Sequence, residues 1–163
     1  MYSWYLICYR SRLHAKVIDE IERIGVECYM PMKTRLTLRA DRKNSFRTHT
    51  TPLFPGYLFV RFSPEITHTT LIAKQSSVQG FVRLGREICT VSQNIIDAIR
   101  CLSFRLENKD EKLSYIECKN VSPGMLKEIE KIIKVEKPEV RTQTLLQYLS
   151  YSIQHPTALL ASG

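Results

Sequence analysis

One short segment is apolar on both of its faces, and this property most constrains the fold. Residues 57–62 read YLFVRF, and strand alternation places Tyr57 and Phe59 on one face and Leu58 and Val60 on the other. Both faces of a sheet containing this strand therefore need cover. Two or three helices cannot cover both faces of an open sheet, so one face needs the C-terminal segment or another protein as its partner.

Strand-like and helical runs alternate over the first hundred residues. Strands are predicted at 4–9, 26–32, 57–62 and 78–84, and helices at 13–24, at 66–74 and from Ser92 onwards. Gly25 is suited to end the first helix and Ser92 to cap the third. The order predicts an α+β sandwich, in which helices pack against an antiparallel-rich sheet.

The net charge of +8 is confined to the first two thirds of the chain. Residues 1–106 contain 16 Lys and Arg against 8 Asp and Glu, whereas residues 107–163 contain 8 of each. The polar run ENKDEK at 107–112 predicts a linker between a domain at 1–106 and a smaller one at 113–163. The densest cationic run, at 33–47, is typical either of a solvated loop or of a surface that binds a polyanion.

Nothing in the sequence has the spacing of a catalytic, cofactor or metal site. The four histidines have no carboxylate or cysteine at motif spacing, and glycine-rich phosphate loops are absent. The five cysteines include no C-x-x-C pair, which predicts reduced, buried thiols. No apolar run approaches the ~20 residues of a membrane span, and residues 1–8 lack the basic start of a signal peptide. We expect a cytoplasmic binding protein, not an enzyme, with no cofactor, metal or membrane partner.

Several strings of residues together resemble the N-terminal domain of NusG-family transcription factors. They are Trp4-Tyr5, Glu22-Arg23, Pro31, PLFPGYLFVRF at 52–62 and VQGFVRLG at 78–85, and the resemblance covers about residues 3–105. The opening Ser3 to Leu6 and the triplet His68-Thr69-Thr70 are most similar to the RfaH-like branch of specialised antiterminators, including those carried on mobile elements. The resemblance implies a monomeric bacterial elongation and antitermination factor that suppresses pausing and termination in specific operons.

Carried over position by position, the resemblance implies two contacts with bacterial RNA polymerase. In the family an apolar patch docks on the clamp helices of the largest subunit, and a histidine-threonine-threonine motif contacts the gate loop of the other large subunit. Bridging the two keeps the clamp closed. The implied polymerase-binding residues are Phe54, Pro55, Tyr57, Phe59, Val82 and Leu84 for the patch and His68, Thr69 and Thr70 for the gate loop.

The resemblance also implies a basic face that reads the exposed non-template single strand of DNA. Cationic side chains suit its phosphates, and hydrogen-bond donors suit its base edges. Gln75 and Ser76 stand where RfaH-like relatives have a threonine-arginine pair, which argues against an identical DNA element. The implied DNA-binding residues are Arg10, Arg12, His14, Lys16, Lys74 and Gln75.

The C-terminal third fits helices better than strands, although both patterns are tolerable. Lys137-Pro138 fits the turn between two apolar stripes at helical spacing. The stripes are Met125, Ile129, Ile132 and Ile133, followed by Leu145, Leu146, Leu149 and Ile153. Alternation over residues 128–135 would instead suit a strand.

The family resemblance gives this ambiguity a meaning. In RfaH-like proteins the C-terminal domain is a helical hairpin over the polymerase patch when closed, and a KOW-type β-barrel that recruits the ribosome through ribosomal protein uS10 when released. Gly124 matches the first glycine of the KOW signature, whereas Glu128 replaces the second. We hypothesise a domain interface that covers the patch and consists of Ile129, Ile132, Ile133, Leu145, Leu146 and Leu149.

Arg141 matches an arginine that pairs with an acidic residue across the domain interface of those relatives. This chain has Thr51 at the acidic position, so Arg141 loses its expected partner and apolar contact must hold the closed state. The alternative function is a KOW-type RNA- or ribosome-associated module without polymerase activity. That alternative predicts a charged C-terminal part, and this one is neutral.

Overall fold

An antiparallel sheet lies at the centre of the computed structural model, which describes residues 1–107 and 121–155. The elements in chain order are β1 (Ser3–Tyr9), α1 (His14–Arg23), β2 (Glu27–Tyr29), β3 (Met32–Leu38), β4 (Phe46–Pro52), β5 (Tyr57–Phe62), α2 (Thr69–Ala73), β6 (Val78–Phe81), β7 (Arg83–Leu84), β8 (Glu87–Ile88), β9 (Thr90–Val91), α3 (Gln93–Glu107), α4 (Pro123–Ile133) and α5 (Pro138–Gln154). The predicted α+β class is confirmed. Of the predicted linker at 107–112, Glu107 ends α3 and the rest lies outside the described residues.

The strand order of the central sheet is β2-β5-β1-β6, and β9 also pairs with β1. β1 runs antiparallel to β5, with Cys8 opposite Tyr57, and antiparallel to β6, with Tyr9 opposite Val78. Tyr29 at the end of β2 lies opposite Phe59. One end of the sheet therefore contains the last residues of β1 and β2 and the first residues of β5 and β6. We call it the Tyr57 end of the sheet.

Each face of β5 packs into a separate apolar cluster, as its alternation predicts. Leu58 and Val60 pack with Val17 and Ile21 of α1 on one side of the sheet. Phe59 lies on the other side, in a cluster that combines the sheet with α3, α4 and α5. The C-terminal segment is therefore the partner that covers the second face.

Local signals explain why α4 and α5 form a helical hairpin. The Ser122 hydroxyl accepts a hydrogen bond of 3.2 Å from the Met125 amide and caps α4, and Pro123 occupies the first turn, where its missing N–H costs nothing. Pro138 likewise begins α5. The helical prediction for this part of the chain holds over these two elements.

The cationic run at 33–47 differs from the expected loop. Most of it belongs to a regular β-hairpin, in which β3 and β4 pair from Met32 opposite Pro52 to Leu38 opposite Phe46. Apolar and polar residues do alternate in β3, but both faces of the hairpin are mostly exposed. The alternation therefore does not mark a buried face, which is the usual sign of a strand.

The predicted helix at 66–74 is shorter in the structure and begins at Thr69. His68 has extended backbone angles, and its Nδ1 atom accepts a hydrogen bond of 3.2 Å from the Thr70 amide. This side-chain cap satisfies one of the amides that a helix start leaves without a partner, and so fixes where α2 begins.

The prediction of reduced cysteines is wrong at one position. Cys8, Cys28 and Cys89 are free thiols, and burial raises the pKa of both Cys28 and Cys89 to about 11. Cys101 in α3, in contrast, is disulfide-bonded. Cysteine spacing reveals local C-x-x-C motifs, and the absence of such a motif does not show that every cysteine is reduced.

Candidate functional site

Phe54 and Phe59 lie in the apolar cluster that joins the sheet to α4 and α5. Both side chains are 1% exposed. Every other candidate of the apolar patch except Pro55 packs against the same cluster, and so do all the candidate interface residues. The cluster contains Ile129, Ile132, Ile133, Leu145 and Leu149, with Tyr57, Val82, Leu84 and Leu146 partly buried against it. The structure thus brings the two sets of candidates into one packed contact.

Pro55 lies at the margin of this contact. It is exposed and lines an open cleft of about 300 Å³ together with Ser11, Tyr57 and residues from the first turns of α5. Burial raises the pKa of the half-buried Tyr57, and neighbouring Cys8 raises it further. Solvent therefore reaches this edge of the patch, whereas its centre is fully covered.

Arg141 of α5 is buried, with 3% of its surface exposed, and binds three backbone carbonyls. Its guanidinium donates hydrogen bonds of 2.6 Å to Leu53 O, 2.9 Å to Val135 O and 3.1 Å to Glu136 O. Burial lowers the pKa of Arg141, and the Glu139 carboxylate opposes that shift. The sequence predicts that Arg141 has lost its acidic partner, because position 51 is a threonine, and in the structure the main-chain oxygen of Leu53 is an acceptor instead.

His68, Thr69 and Thr70 form one turn at the start of α2. His68 and Thr70 are exposed, and His68 Nδ1 lies 2.8 Å from Thr70 Oγ1. α2 packs through Ile72 on the α1 side of the sheet, opposite the cluster that holds Phe54. The triplet is therefore not covered by α4 and α5.

The candidate DNA-binding residues gather at the Tyr57 end of the sheet. The Arg10 amide donates a hydrogen bond of 2.9 Å to Ser77 O, which joins the end of β1 to the loop after α2. The Gln75 side-chain amide donates to Leu71 O at 3.0 Å, so Gln75 is engaged within its own helix turn. Exposed cations of the set are Arg10, Arg12, Lys16 and Lys74, whereas His14 and Gln75 are half-buried.

Glu20 of α1 is not among the candidate residues that the sequence indicates, yet it holds the loop after α2. Glu20 accepts hydrogen bonds from the Ser76 hydroxyl and, at 2.9 Å, from the Ser77 amide, and it lies 3.8 Å from Lys16 Nζ. The hydrogen bond from Ser76 is the main cause that lowers the pKa of Glu20. Glu20 thus fixes α1 to the loop that carries Gln75. Its spacing of four from Lys16 was the only local signal.

Two observations bear on other classes of site and hold for residues 1–107 and 121–155. This part of the chain has no group of three or more His, Cys, Asp or Glu arranged to hold a metal ion. Its helices are also too short or too polar to cross a membrane.

The family model described as "Transcription termination factor nusG" matches residues 2–100, which is more than half of the chain. The chain belongs to the NusG family. This family consists of transcription factors rather than enzymes. The matched range runs from β1 into α3 and so contains the apolar patch, the His68 turn and the DNA-binding candidates, but not α4 or α5.

One solved structure similar to this NusG-family chain is titled "Domain interaction in Thermotoga maritima NusG". The two chains are 24% identical, with a TM-score of 0.42, and the alignment covers 68% of this chain and 60% of the other. This chain therefore spans less than two thirds of that relative.

Proposed function

We propose that this NusG-family chain is a bacterial transcription elongation and antitermination factor of the RfaH-like type. In this role it binds RNA polymerase and the non-template DNA strand, and it suppresses pausing and termination in specific operons. The patch around Phe54 and Tyr57 contacts the clamp helices, and the turn at His68 contacts the gate loop. The exposure of His68 and Thr70 on a capped turn supports the second contact.

The burial of the patch under α4 and α5 is the observation that carries this proposal. Phe54 and Phe59 cannot contact polymerase while Leu145 and Leu149 pack in the same cluster. A domain at 1–106 therefore makes the contacts, and residues 113–163 regulate access to them. Each buried aliphatic side chain contributes ~2 kcal/mol to the closed form, so polymerase must offer the patch a comparable apolar surface.

The DNA contact of this proposal lies at the Tyr57 end of the sheet. Arg10, Lys16 and Lys74 supply exposed positive charge for phosphates, and Gln75 becomes a donor to base edges once it exchanges its bond with Leu71 O. Ser76 has no guanidinium and a shorter side chain than an arginine, and its hydroxyl is already bound to Glu20. We therefore expect a DNA element distinct from that of relatives with an arginine at this position.

The released state is the remaining part of the proposal. On release, residues 113–163 would form the KOW-type barrel that contacts ribosomal protein uS10. Gly124 keeps the first glycine of the KOW signature, and Glu128 replaces the second.

Transcription by bacterial core RNA polymerase on a template with defined pause sites tests the proposal. Wild-type chain at micromolar concentration is expected to shorten the pauses and to be retained on immobilised polymerase. Tyr57→Ala should lose both effects, whereas Tyr151→Ala, which truncates an exposed tyrosine of α5, should retain them. Absence of both retention and pause shortening with the wild-type chain would contradict the proposed function.

A further inference from the structure

A cleft of about 360 Å³ lies between α2 and the strands that follow it in the chain. It is lined by one side of α2 and by residues of β6, β7 and β8. Among the described residues, those of α4 and α5 take no part in this lining, so the cleft is open while the apolar patch is covered. Its volume is in the range of clefts that hold ligands in proteins.

The α2 wall of the cleft consists of Thr69, Thr70 and Ala73. Ala73 follows the two threonines at helical spacing, so all three side chains lie on one side of α2. Two of them belong to the triplet that begins at His68, and Ala73 adds a small apolar residue just beyond it. The triplet and the cleft therefore form one continuous surface.

The facing wall combines an aromatic ring with an open space. Phe81 is half-buried, and its ring packs on Phe62 with 5.9 Å between the centroids. Gly80 beside it has no side chain, and a Cβ atom built there would meet nothing within 4 Å. Because Ala73 and Gly80 are both small, the cleft has room for a bulky apolar side chain in contact with Phe81 and Ile88.

Arg83 gives the cleft a positive charge that no neighbouring acid balances. It lies directly opposite Ile88 in the pair β7–β8, so the two share a face, whereas Glu87 lies opposite Leu84 on the other face. The Arg83 guanidinium donates a hydrogen bond of 2.9 Å to Arg86 O, and this bond orients it. Within the part of the chain that the structure describes, Arg83 forms no ion pair. Its exposed guanidinium is therefore suited to a carboxylate of a partner.

We propose that this cleft binds a polypeptide segment in which a bulky apolar residue lies next to an acidic one. The apolar side chain packs on Phe81 and Ile88, and the carboxylate pairs with Arg83. The threonine hydroxyls on the α2 wall bind the main chain of the segment. Charge complementarity at Arg83 selects an acidic partner, and the apolar lining selects a protein segment over a nucleic acid.

This inference rests on the proposed function and extends its second polymerase contact. The family resemblance implies only the triplet at 68–70 for that contact, and the cleft adds Ala73, Phe81 and Arg83. The segment therefore belongs to the polymerase subunit that the triplet contacts. Leu84, on the other face of β7–β8, packs against the cluster that contains the apolar patch. One short hairpin thus contributes a residue to each of the two polymerase contacts.

Transcription by bacterial core RNA polymerase on a template with defined pause sites, with the full-length protein, tests this assignment. Ala73→Leu fills the cleft, and Arg83→Gln removes its charge. The matched controls are Ala73→Ser, which keeps the cleft open, and Arg86→Gln, which removes the same charge from an exposed residue outside the lining. Retention on immobilised polymerase is measured in parallel, and thermal unfolding checks that each variant is folded.

Ala73→Leu and Arg83→Gln should still be retained on polymerase through the apolar patch, but they should lose most of the pause shortening. Arg83→Lys keeps the charge without the planar guanidinium and should restore part of it. Both control variants should behave as wild type does.

The outcomes separate this inference from the proposed function. If wild type shortens pauses and Ala73→Leu shortens them equally, the cleft assignment is overturned while the proposed function stands. An equal loss of pause shortening in Arg86→Gln and Arg83→Gln would overturn the assignment of the carboxylate to Arg83. A wild-type chain that neither binds polymerase nor shortens pauses would contradict the proposed function, and this inference with it.

Discussion

The guanidinium of Arg141 in α5 donates a hydrogen bond of 2.6 Å to the carbonyl oxygen of Leu53, the residue next to Phe54 of the apolar patch. Two further bonds join the same guanidinium to Val135 O and Glu136 O in the turn between α4 and α5. One buried side chain thus fastens the turn of the helical hairpin to the loop between β4 and β5, which carries Phe54 of the patch. A carbonyl acceptor serves here in place of the acidic partner that the family resemblance suggested.

Removing this side chain should destabilise the packing of α5 on the patch. Arg141→Ala leaves Leu53 O buried without its donor, and we expect a loss of about 1–3 kcal/mol. Hydrogen exchange of α5 amides should then quicken by the corresponding factor. Gln143→Ala, at an exposed position two residues along the same helix, should leave those rates unchanged. Equal protection in Arg141→Ala and wild type would show that apolar contact alone holds α5.

Glu20 should make stability depend on pH at the acid end. Its pKa is lowered in the folded state, so its contribution is present above the unfolded pKa and is lost as the pH falls through the folded pKa. Urea unfolding between roughly pH 5 and pH 2 should therefore show a shallower pH dependence in Glu20→Gln than in wild type. Asp19→Gln, which alters an exposed carboxylate of the same helix, is the control. If the free energy of unfolding depends on pH equally in Glu20→Gln and wild type, the hydrogen bond between Glu20 and Ser76 does not stabilise the fold.

A side chain at Gly56 should strain the backbone, because the φ of Gly56, +86°, lies in the left-handed region. The carbonyl oxygen of Gly56 accepts a hydrogen bond of 2.9 Å from the Tyr9 amide, and this bond fixes the turn just before Tyr57. Gly56→Ala should lower the free energy of unfolding by about 1–2 kcal/mol. Gly124→Ala, inside the first turn of α4, should instead be neutral or stabilising. Thermal unfolding of the two variants compares them directly, and equal midpoints would contradict this account of the turn.

Ser122 should contribute to the helical form of the C-terminal segment through its cap. Ser122→Ala removes the acceptor for the Met125 amide and should cost about 1 kcal/mol of stability. Ser150→Ala, within α5, has no capping role and serves as the control. Hydrogen exchange of the first turn of α4 should quicken only in Ser122→Ala. Faster exchange in both variants, or in neither, would count against the cap.

The sequence predicts those elements whose apolar residues recur with the period of a strand or helix and lie on a buried face. Tyr57–Phe62 is predicted to the residue, and the separation of Phe59 from Leu58 follows from alternation alone. The stripes of α4 and α5 are readable for the same reason, since both helices bury one face in the cluster that contains Phe54; Ile153, the last residue of the α5 stripe, is exposed.

The contacts that the sequence did not predict depend on partners far along the chain. Arg141 binds a backbone oxygen 88 positions away, and a carbonyl is present at every residue, so no residue type marks it. Glu20 and Ser76 are 56 positions apart and look like ordinary surface residues. The β3–β4 hairpin has no buried face, so its alternation could not be distinguished from a charged loop.

The central claim is that α4 and α5 compete with RNA polymerase for the patch around Phe54, and the polymerase affinity of the full-length chain tests it most directly. Leu145→Glu puts a charge into the shared cluster and should release α5, whereas Gln147→Glu adds a charge at an exposed position of the same helix. We predict that Leu145→Glu binds core polymerase at least about tenfold more tightly than wild type, a shift of about 1.4 kcal/mol, and that Gln147→Glu binds as wild type does. Equal affinity of Leu145→Glu and wild type would contradict the account.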